Sequence, residues 1–206
     1  MSQPVAASQL TNWISILAQK AENKALIKAE IELRHAMNSF VQEYPLVVGD
    51  VVTVPKLVPH ALQHGVRVVE FQTPVYERKI LSFAQKVLTQ PHWDTEEALE
   101  LVDLDAAGLQ LPELMSVAPQ LRIERIVNFD DFEVQRIQLE GRYTVNKDVY
   151  CILMVLYGGL TLSCADDRRI AFDSGQAVLL PKMAKGWLVE SRAPCLFLLA
   201  LPRQSA

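Results

Sequence analysis

The sequence predicts a mainly β protein with helices at its N-terminus. Within the first 45 residues, apolar side chains recur at helical spacing, which places them on one face of a helix. The clearest set is Leu10, Trp13, Ile14 and Leu17. From Leu121 onward, short apolar or alternating segments follow one another between turn residues. Many short strands at this spacing are typical of a β-sandwich or a β-barrel.

Residues 1–45 are predicted to form two helices. The second runs from about Asn23 to Glu43 and carries an apolar stripe, with charged residues on its other faces. The members of this stripe are Leu26, Ala29, Leu33, Met37 and Phe40. The helix is expected to end before Pro45, because the residue that precedes a proline is disfavoured in helical geometry.

The chain changes character after Pro45. Three short valine-rich segments bounded by glycine and proline predict strands. These are Leu46–Val48, Val51–Val54 and Val66–Phe71. Tyr76–Val87 fits either a strand or an amphipathic helix. Thr95 is expected to cap a short helix with an acidic first turn, and residues 103–119 are predicted to connect two lobes.

The C-terminal part of the chain is predicted to consist of strands. Turn signals such as Gly158-Gly159 and Asp173-Ser174-Gly175 separate them. The predicted strands are Arg122–Val127, Phe132–Leu139, Val149–Leu156, Leu160–Ser163, Arg169–Phe172, Ala177–Leu180, Trp187–Glu190 and Cys195–Leu201.

Composition narrows the classes of function. Half of the 206 residues are apolar, 21% are charged and the formal net charge is −4, which fits a folded domain rather than a disordered chain. Without a basic surplus, no nucleic-acid partner is expected. No segment approaches the roughly 18 apolar residues of a membrane span, and no signal peptide is evident. A cytoplasmic protein with buried, reduced cysteines is therefore expected.

An internal repeat carries the strongest information in the sequence. In both copies a glycine is followed six residues later by proline, then lysine, then a long apolar residue. The first copy has Gly49, Pro55, Lys56 and Leu57, and the second has Gly175, Pro181, Lys182 and Met183. This pattern indicates a turn glycine, a short buried strand and a proline that ends the strand pairing. Two related β lobes are predicted.

The repeat resembles the second conserved motif of the cupin superfamily, whose members are RmlC-like jelly rolls. The first copy has glycine, proline and histidine at the spacing of that motif, in Gly49, Pro55 and His60. The second copy has Gly186 at the histidine position. The resemblance implies a C-terminal cupin jelly-roll barrel and a partial second cupin-like β lobe.

The first copy and its continuation are similar to a narrower family, the C-terminal part of type I mannose-6-phosphate isomerases. The matching residues are Gly49, Asp50, Pro55, Pro59, His60, Ala61, Gly65, Glu70, Gln72, Tyr76 and Arg78. In that family a divalent metal, usually zinc, holds a sugar phosphate during aldose–ketose isomerisation. The resemblance implies a metal ligand at His60 and a carboxylate and an arginine near the substrate, at Glu70 and Arg78.

The candidate site residues follow from this run. Arg78 and Glu70 are the candidate catalytic residues, and His60 with His64 are the candidate metal ligands. Lys56 and Gln72 complete the set as candidate ligand-binding residues. Structural roles compete with each assignment, since Glu70 among valines also fits an ion pair with Arg67 or Arg78.

The match to the isomerases is incomplete. Nothing before Gly49 offers the family's other metal ligands, because that region is predicted to be helical. The resemblance therefore favours an isomerase-like protein that binds a small polar or sugar-like ligand without the family's reaction. Two alternatives stay open: an active metal-dependent sugar-phosphate isomerase with a rearranged site, and a structural or regulatory dimerisation module.

Three parts are predicted along the chain: N-terminal helices over 1–45, a partial β lobe with helix and linker over 46–118, and a jelly-roll lobe over 119–206. An incomplete first lobe would leave unpaired strand edges, which readily take up further strands. A homodimer is one way to cover such an edge.

Overall fold

The computed structural model describes residues 7–73, 79, 94–105, 108–164, 168–183 and 186–203, with side chains described from residue 15 onward. The chain divides into two compact units. One comprises residues 1–47 and 82–92, and the other comprises residues 48–81 and 93–206. The three-part division predicted above stays a prediction. The predicted element Tyr76–Val87 lies outside the described residues except for Lys79.

The first unit contains one continuous helix, α1, over Ala7–Asn38, where two helices were predicted. The expected break near Asn23 does not occur, since no glycine or proline interrupts residues 7–38. Ion pairs at a spacing of four residues support the exposed surface of the helix, Glu30 with Arg34 and Lys28 with Glu32. The apolar side chains of α1 described from residue 15 onward are mostly exposed.

The second unit is mainly antiparallel β-sheet, as predicted. A short helix, α2 over Thr95–Leu101, precedes eight strands, and Asp94 rather than Thr95 is its N-cap residue. The strands are β1 Glu113–Ala118, β2 Leu121–Asn128, β3 Phe132–Val145, β4 Cys151–Tyr157, β5 Gly159–Ser163, β6 Arg169–Asp173, β7 Ala177–Leu180 and β8 Trp187–Pro202.

Strand pairing establishes the predicted jelly roll. The strands pair in nested order, β3 with β8, β4 with β7 and β5 with β6. An antiparallel ribbon rolled up on itself has this order, because each later strand returns beside an earlier one. β1 and β2 extend the sheet beyond β3 at one edge.

The long strands β3 and β8 pass through a bend that divides the sheet into two facing halves. Residues 188–190 of β8 lie between β3 and β5, whereas residues 196–200 lie between β3 and β4. The register of β3 shifts at Gly141, whose φ is 121°, and a glycine adopts this conformation without strain. Trp187–Glu190 and Cys195–Leu201, predicted as two strands, are therefore two arms of β8.

The interior between the two halves is the main hydrophobic core. Its members come from strands on both sides, and Ile137, Leu153, Phe197 and Leu199 are fully buried. A second, smaller cluster lies on the opposite face of β3 and β8, because neighbouring residues of a strand point to opposite faces. This outer cluster consists of Ile126, Val134, Leu198 and Ala200.

The first copy of the repeat does not form the predicted β lobe. Among the described residues of 46–73 there is no strand, and the only pairing is an isolated bridge from Val52 to Leu109. The predicted strands Leu46–Val48, Val51–Val54 and Val66–Phe71 are therefore wrong for this structure. The valine-rich composition favours strands, but a strand forms only beside a partner. β1 was not predicted, and it lies within the predicted connection 103–119.

The cysteines differ in burial, and we expect them to differ in reactivity. Burial raises the pKa of the Cys151 and Cys195 thiols, which lowers the thiolate fraction that reacts. Cys164 is only half-buried. In the folded protein a thiol reagent such as DTNB will label Cys164 first. Cys164→Ser will remove the fast phase, and a fast phase that persists in this variant would contradict the assignment.

Candidate functional site

The segment that carries the candidate site residues, Gly49–Thr73, is attached to the outer face of the sheet at its Gly49 end. The guanidinium of Arg136, on β3, donates a hydrogen bond of 2.7 Å to the carbonyl oxygen of Gly49. Gly49 has a φ of 103°, the turn conformation that the sequence predicts for this glycine. The repeat therefore starts at a defined point on the sheet.

Apolar contacts hold the segment on the same face. Val51 and Phe71 pack against the outer cluster of β2, β3 and β8. The carbonyl oxygen of Val51 accepts a hydrogen bond of 2.9 Å from the amide of Gln110, and that of Leu57 accepts one of 3.0 Å from Asp103. The segment is thus fixed at intervals by single contacts, and no continuous ladder of hydrogen bonds holds it within the described residues.

A cluster of three charged residues forms the anchor beneath Gly49. Glu124, on β2, lies directly opposite Arg136 on β3 and accepts a hydrogen bond of 2.9 Å from it. Arg122 donates two further hydrogen bonds to the same carboxylate, at 3.0 and 2.7 Å. Glu124 is buried although it is charged. Its burial is compensated, because both carboxylate oxygens accept from guanidinium groups.

The anchor is expected to make stability depend on pH. Burial alone would raise the pKa of the Glu124 carboxyl, but Arg122 and Arg136 outweigh it and hold the pKa below its ordinary value of 4.5. A depressed folded-state pKa stabilises the protein above the unfolded-state value. This contribution is lost as the pH falls below 4.5 through the folded-state pKa.

The free energy of unfolding will therefore decrease as the pH is lowered below about 4.5. Urea unfolding at a series of pH values measures this slope, and Glu124→Gln will reduce it. An unchanged slope in that variant would show that other carboxylates produce the acid sensitivity. Glu133 is one of them, since its pKa is also lowered.

The two candidate metal ligands are exposed side chains of the irregular segment. The ring Nδ1 of His60 lies 3.0 Å from the carbonyl oxygen of Val58, which leaves Nε2 as the ring nitrogen that faces other partners. His64 lies in a turn with Gly65. Among the described residues, no three His, Cys, Asp or Glu side chains converge as a metal-binding group. The described residues therefore do not make up a zinc site, and the metal expected at His60 and His64 stays a prediction.

The remaining candidates are distributed along the same segment. Glu70 and Gln72 are exposed. Lys56 is exposed and its ammonium lies 3.8 Å from the Asp131 carboxylate, in the β2–β3 turn. Arg78 lies outside the described residues. The segment thus presents polar side chains to solvent, and their roles in binding or catalysis stay predictions.

The two copies of the repeat differ in the space available for a side chain at the position where the motif has histidine. Gly186 is buried with a φ of 72°, and a Cβ added there would lie 2.7 Å from the carbonyl oxygen of Val145. No side chain fits at that distance without a shift of the backbone. His60, at the matching position of the first copy, is exposed instead. Only the first copy can therefore present an imidazole at this point of the motif.

One end of the roll carries a second polar cluster that was not predicted from the sequence. Gln135 donates a hydrogen bond of 2.5 Å to Glu133 on the same strand. Arg125 and Arg203 lie 3.6 and 3.3 Å from Glu133, and Arg125 also pairs with Glu113. The charges of the two arginines and two glutamates cancel. This arrangement stabilises strand pairing and presents no surplus charge to a ligand.

Both polar clusters depend on strand register. Glu124 and Arg136 are 12 residues apart and become neighbours only through the β2–β3 pairing. The sequence does show opposite charges on these two consecutive predicted strands, and this was the available signal for the ion pair. The bulge between Arg125 and Val127 shifts the register, and it has no clear mark in the sequence.

Comparisons with known proteins give fold-level similarity only. No family model matches the chain, and no curated protein matches it in sequence. No helix among the described residues has the length and apolar character required to span a membrane.

Some of the solved structures that resemble the chain are described as cupins, and one is a polyketide cyclase. A cupin-2 domain protein from Shewanella frigidimarina is 19% identical, with a TM-score of 0.35 over 39% of this chain and 79% of its own. An RmlC-like cupin from the same organism is 10% identical, with a TM-score of 0.39 over 45% of this chain and 85% of its own. The polyketide cyclase RemF from Streptomyces resistomycificus is 17% identical, with a TM-score of 0.39 over 46% of this chain and 74% of its own.

Proposed function

We propose that this protein is a mannose-6-phosphate isomerase-like jelly-roll protein that binds a small polar, sugar-like ligand without carrying out the isomerase reaction. The observation that carries the proposal is the segment Gly49–Thr73. It keeps the glycine, proline and histidine of the motif, is anchored to the roll by Arg136, and presents His60, Glu70 and Gln72 to solvent.

The exposed side chains supply the chemistry that a sugar requires. A sugar offers hydroxyl groups that both donate and accept hydrogen bonds. The Glu70 carboxylate accepts, the Gln72 amide does both, and His60 contributes its second ring nitrogen. For a sugar phosphate, the Lys56 ammonium supplies the positive charge. The proposal uses these groups for binding alone.

Catalysis is left out of the proposal for a physical reason. Aldose–ketose isomerisation moves a proton between neighbouring carbons, and in the family a metal holds the substrate during that step. Among the described residues of this chain, no set of three ligands could hold such a metal. Glu70 and Arg78 stay candidates for roles that an activity assay would reveal.

Calorimetric titration with mannose 6-phosphate in the presence of EDTA tests the proposal. The wild-type protein will bind, and His60→Ala will weaken binding by about tenfold, as expected for the loss of one or more hydrogen bonds to a polar ligand. His35→Ala is the matched control, because His35 belongs to α1 and is not one of the motif residues; it will leave binding unchanged.

Two results would overturn the proposal. Equal affinity in the wild type and in His60→Ala would remove the site from this segment. Zinc-dependent turnover of mannose 6-phosphate, lost in His60→Ala, would show instead an active isomerase with a rearranged site.

Self-association is a second candidate function, favoured by the exposed apolar side chains of α1. Leu26 and Leu33, seven residues apart on the helix, are 62% and 63% exposed. Apolar surface of this kind is stabilised when a second copy covers it. Light scattering after size exclusion will then report a homodimer that Leu26→Glu with Leu33→Glu disrupts, whereas Lys24→Glu preserves it. A wild-type protein that stays monomeric at high concentration would rule this function out.

A further inference from the structure

We infer that the segment Gly49–Thr73 is the acceptor for β-strands that another polypeptide supplies, and that these strands complete a second jelly roll. The inference rests on a comparison of the two copies of the internal repeat, of which the second lies in the closed roll. It does not depend on the proposed ligand.

The closed roll shows what the second copy of the repeat requires. After Gly175, the strand β7 pairs with β4, and the following strand β8 pairs with β3, β4 and β5. All of these partners precede the glycine in the chain. A repeat copy of this kind is therefore the closing half of a roll, and its opening half must be provided by earlier strands.

Among the described residues that precede the first copy there is no such opening half. The two glycines are 126 positions apart (175 minus 49), so subtracting 126 from each strand of the closed roll gives its counterpart. β7 and β8 correspond to residues 51–54 and 61–76, which include two of the strands predicted from sequence. β3, β4 and β5 correspond to residues 6–19, 25–31 and 33–37. Apart from residue 6, these positions belong to α1, so the chain places a helix where the partner strands would come.

Residues 66–71 have exposed apolar side chains and a backbone without strand pairing to any described part of the chain. Val66, Val68 and Val69 are exposed to 40%, 46% and 38%. Between residues 61 and 73, the one backbone hydrogen bond among the described residues joins Val66 to Gln63 within a turn. The amide and carbonyl groups that follow Val66 are thus available for strand pairing, which is the mode by which extended peptides add to a protein.

The chemistry of the segment specifies its occupant. Arg67 and Glu70 are exposed, and neither forms an ion pair within the part of the chain that the structure describes. A complementary strand would carry apolar residues beside the valines, and opposite charges beside Arg67 and Glu70 would stabilise the pairing further. A second copy of this chain does not fit, because it too carries α1 at the positions of the missing strands.

A peptide that imitates the missing strand tests the inference. By the repeat, the partner of the first copy should resemble β4 and β5, so the probe is residues 149–163 of this chain with Cys151→Ser and two lysines at each end. Bound to the full chain, it will slow hydrogen exchange at 51–54 and 66–71 by about tenfold or more. A scrambled peptide of the same composition will not.

Proline variants show whether backbone pairing is responsible. Val68→Pro removes an amide donor that pairing needs and will abolish the protection. Leu111→Pro, at an exposed position outside both stretches, will preserve it. Three results would overturn the inference: no protection with the peptide, protection confined to the edge strands β1 or β7, or protection of 66–71 that grows with protein concentration alone and so identifies a second copy as the occupant.

Discussion

Phe197→Ala will lower the free energy of unfolding by about 3–5 kcal/mol, the largest effect that we expect from a single substitution in this protein. Phe197 is fully buried on β8, opposite Ile137 of β3 on one side and Val155 of β4 on the other. Its ring thus fills the space between the two halves of the bent sheet. Truncation leaves a cavity that the surrounding strands can close only in part.

Chemical denaturation followed by circular dichroism measures this effect. Phe40→Ala is the matched control, because it deletes the same atoms from a side chain that is 89% exposed to solvent. We expect the control to stay within about 0.5 kcal/mol of the wild type. Equal destabilisation by both substitutions would contradict the placement of the core inside the roll.

Glu124→Gln will lower the free energy of unfolding by about 2–3 kcal/mol at neutral pH, the second largest expected effect. The substitution preserves the size of the side chain but leaves two guanidinium groups beside a neutral amide. Arg136 is the more buried of the two, and it also holds the carbonyl of Gly49. The variant is therefore expected to loosen the attachment of the candidate site as well as to destabilise the sheet.

A double-mutant cycle separates these effects. Glu124→Gln and Arg136→Met will each be destabilising, and their combination will cost less than the sum, because each single variant already breaks the same pair. Glu140→Gln is the control, since Glu140 is an exposed glutamate on β3. Strict additivity of Glu124→Gln and Arg136→Met would mean that the pair does not act as a unit.

The closed roll could be predicted from the sequence because its strands are short, apolar and separated by strong turn signals. Ala177–Leu180 was predicted with its observed bounds. The two arms of β8 were predicted as two separate strands. The reason is that Ala193-Pro194, which lies at the bend of β8, has the composition of a turn. Proline is tolerated there because neither neighbouring strand pairs with residues 192–194.

The first copy of the repeat could not be predicted in the same way. Val66–Phe71 has the composition of a strand, but composition reports a preference, and pairing depends on a partner elsewhere in the chain. The same limit applies to the site. The spacing of Gly49, Pro55 and His60 indicates a family motif, yet the arrangement of the candidate site residues in space depends on strands that the described residues do not provide.

Hydrogen exchange of the whole chain with and without mannose 6-phosphate tests the central claim most directly, because it locates the ligand on the sequence. The account predicts that the ligand slows exchange within residues 58–72 and leaves the amides of β3, β4 and β8 unchanged. Protection confined to the strands of the closed roll, or no protection anywhere, would contradict it.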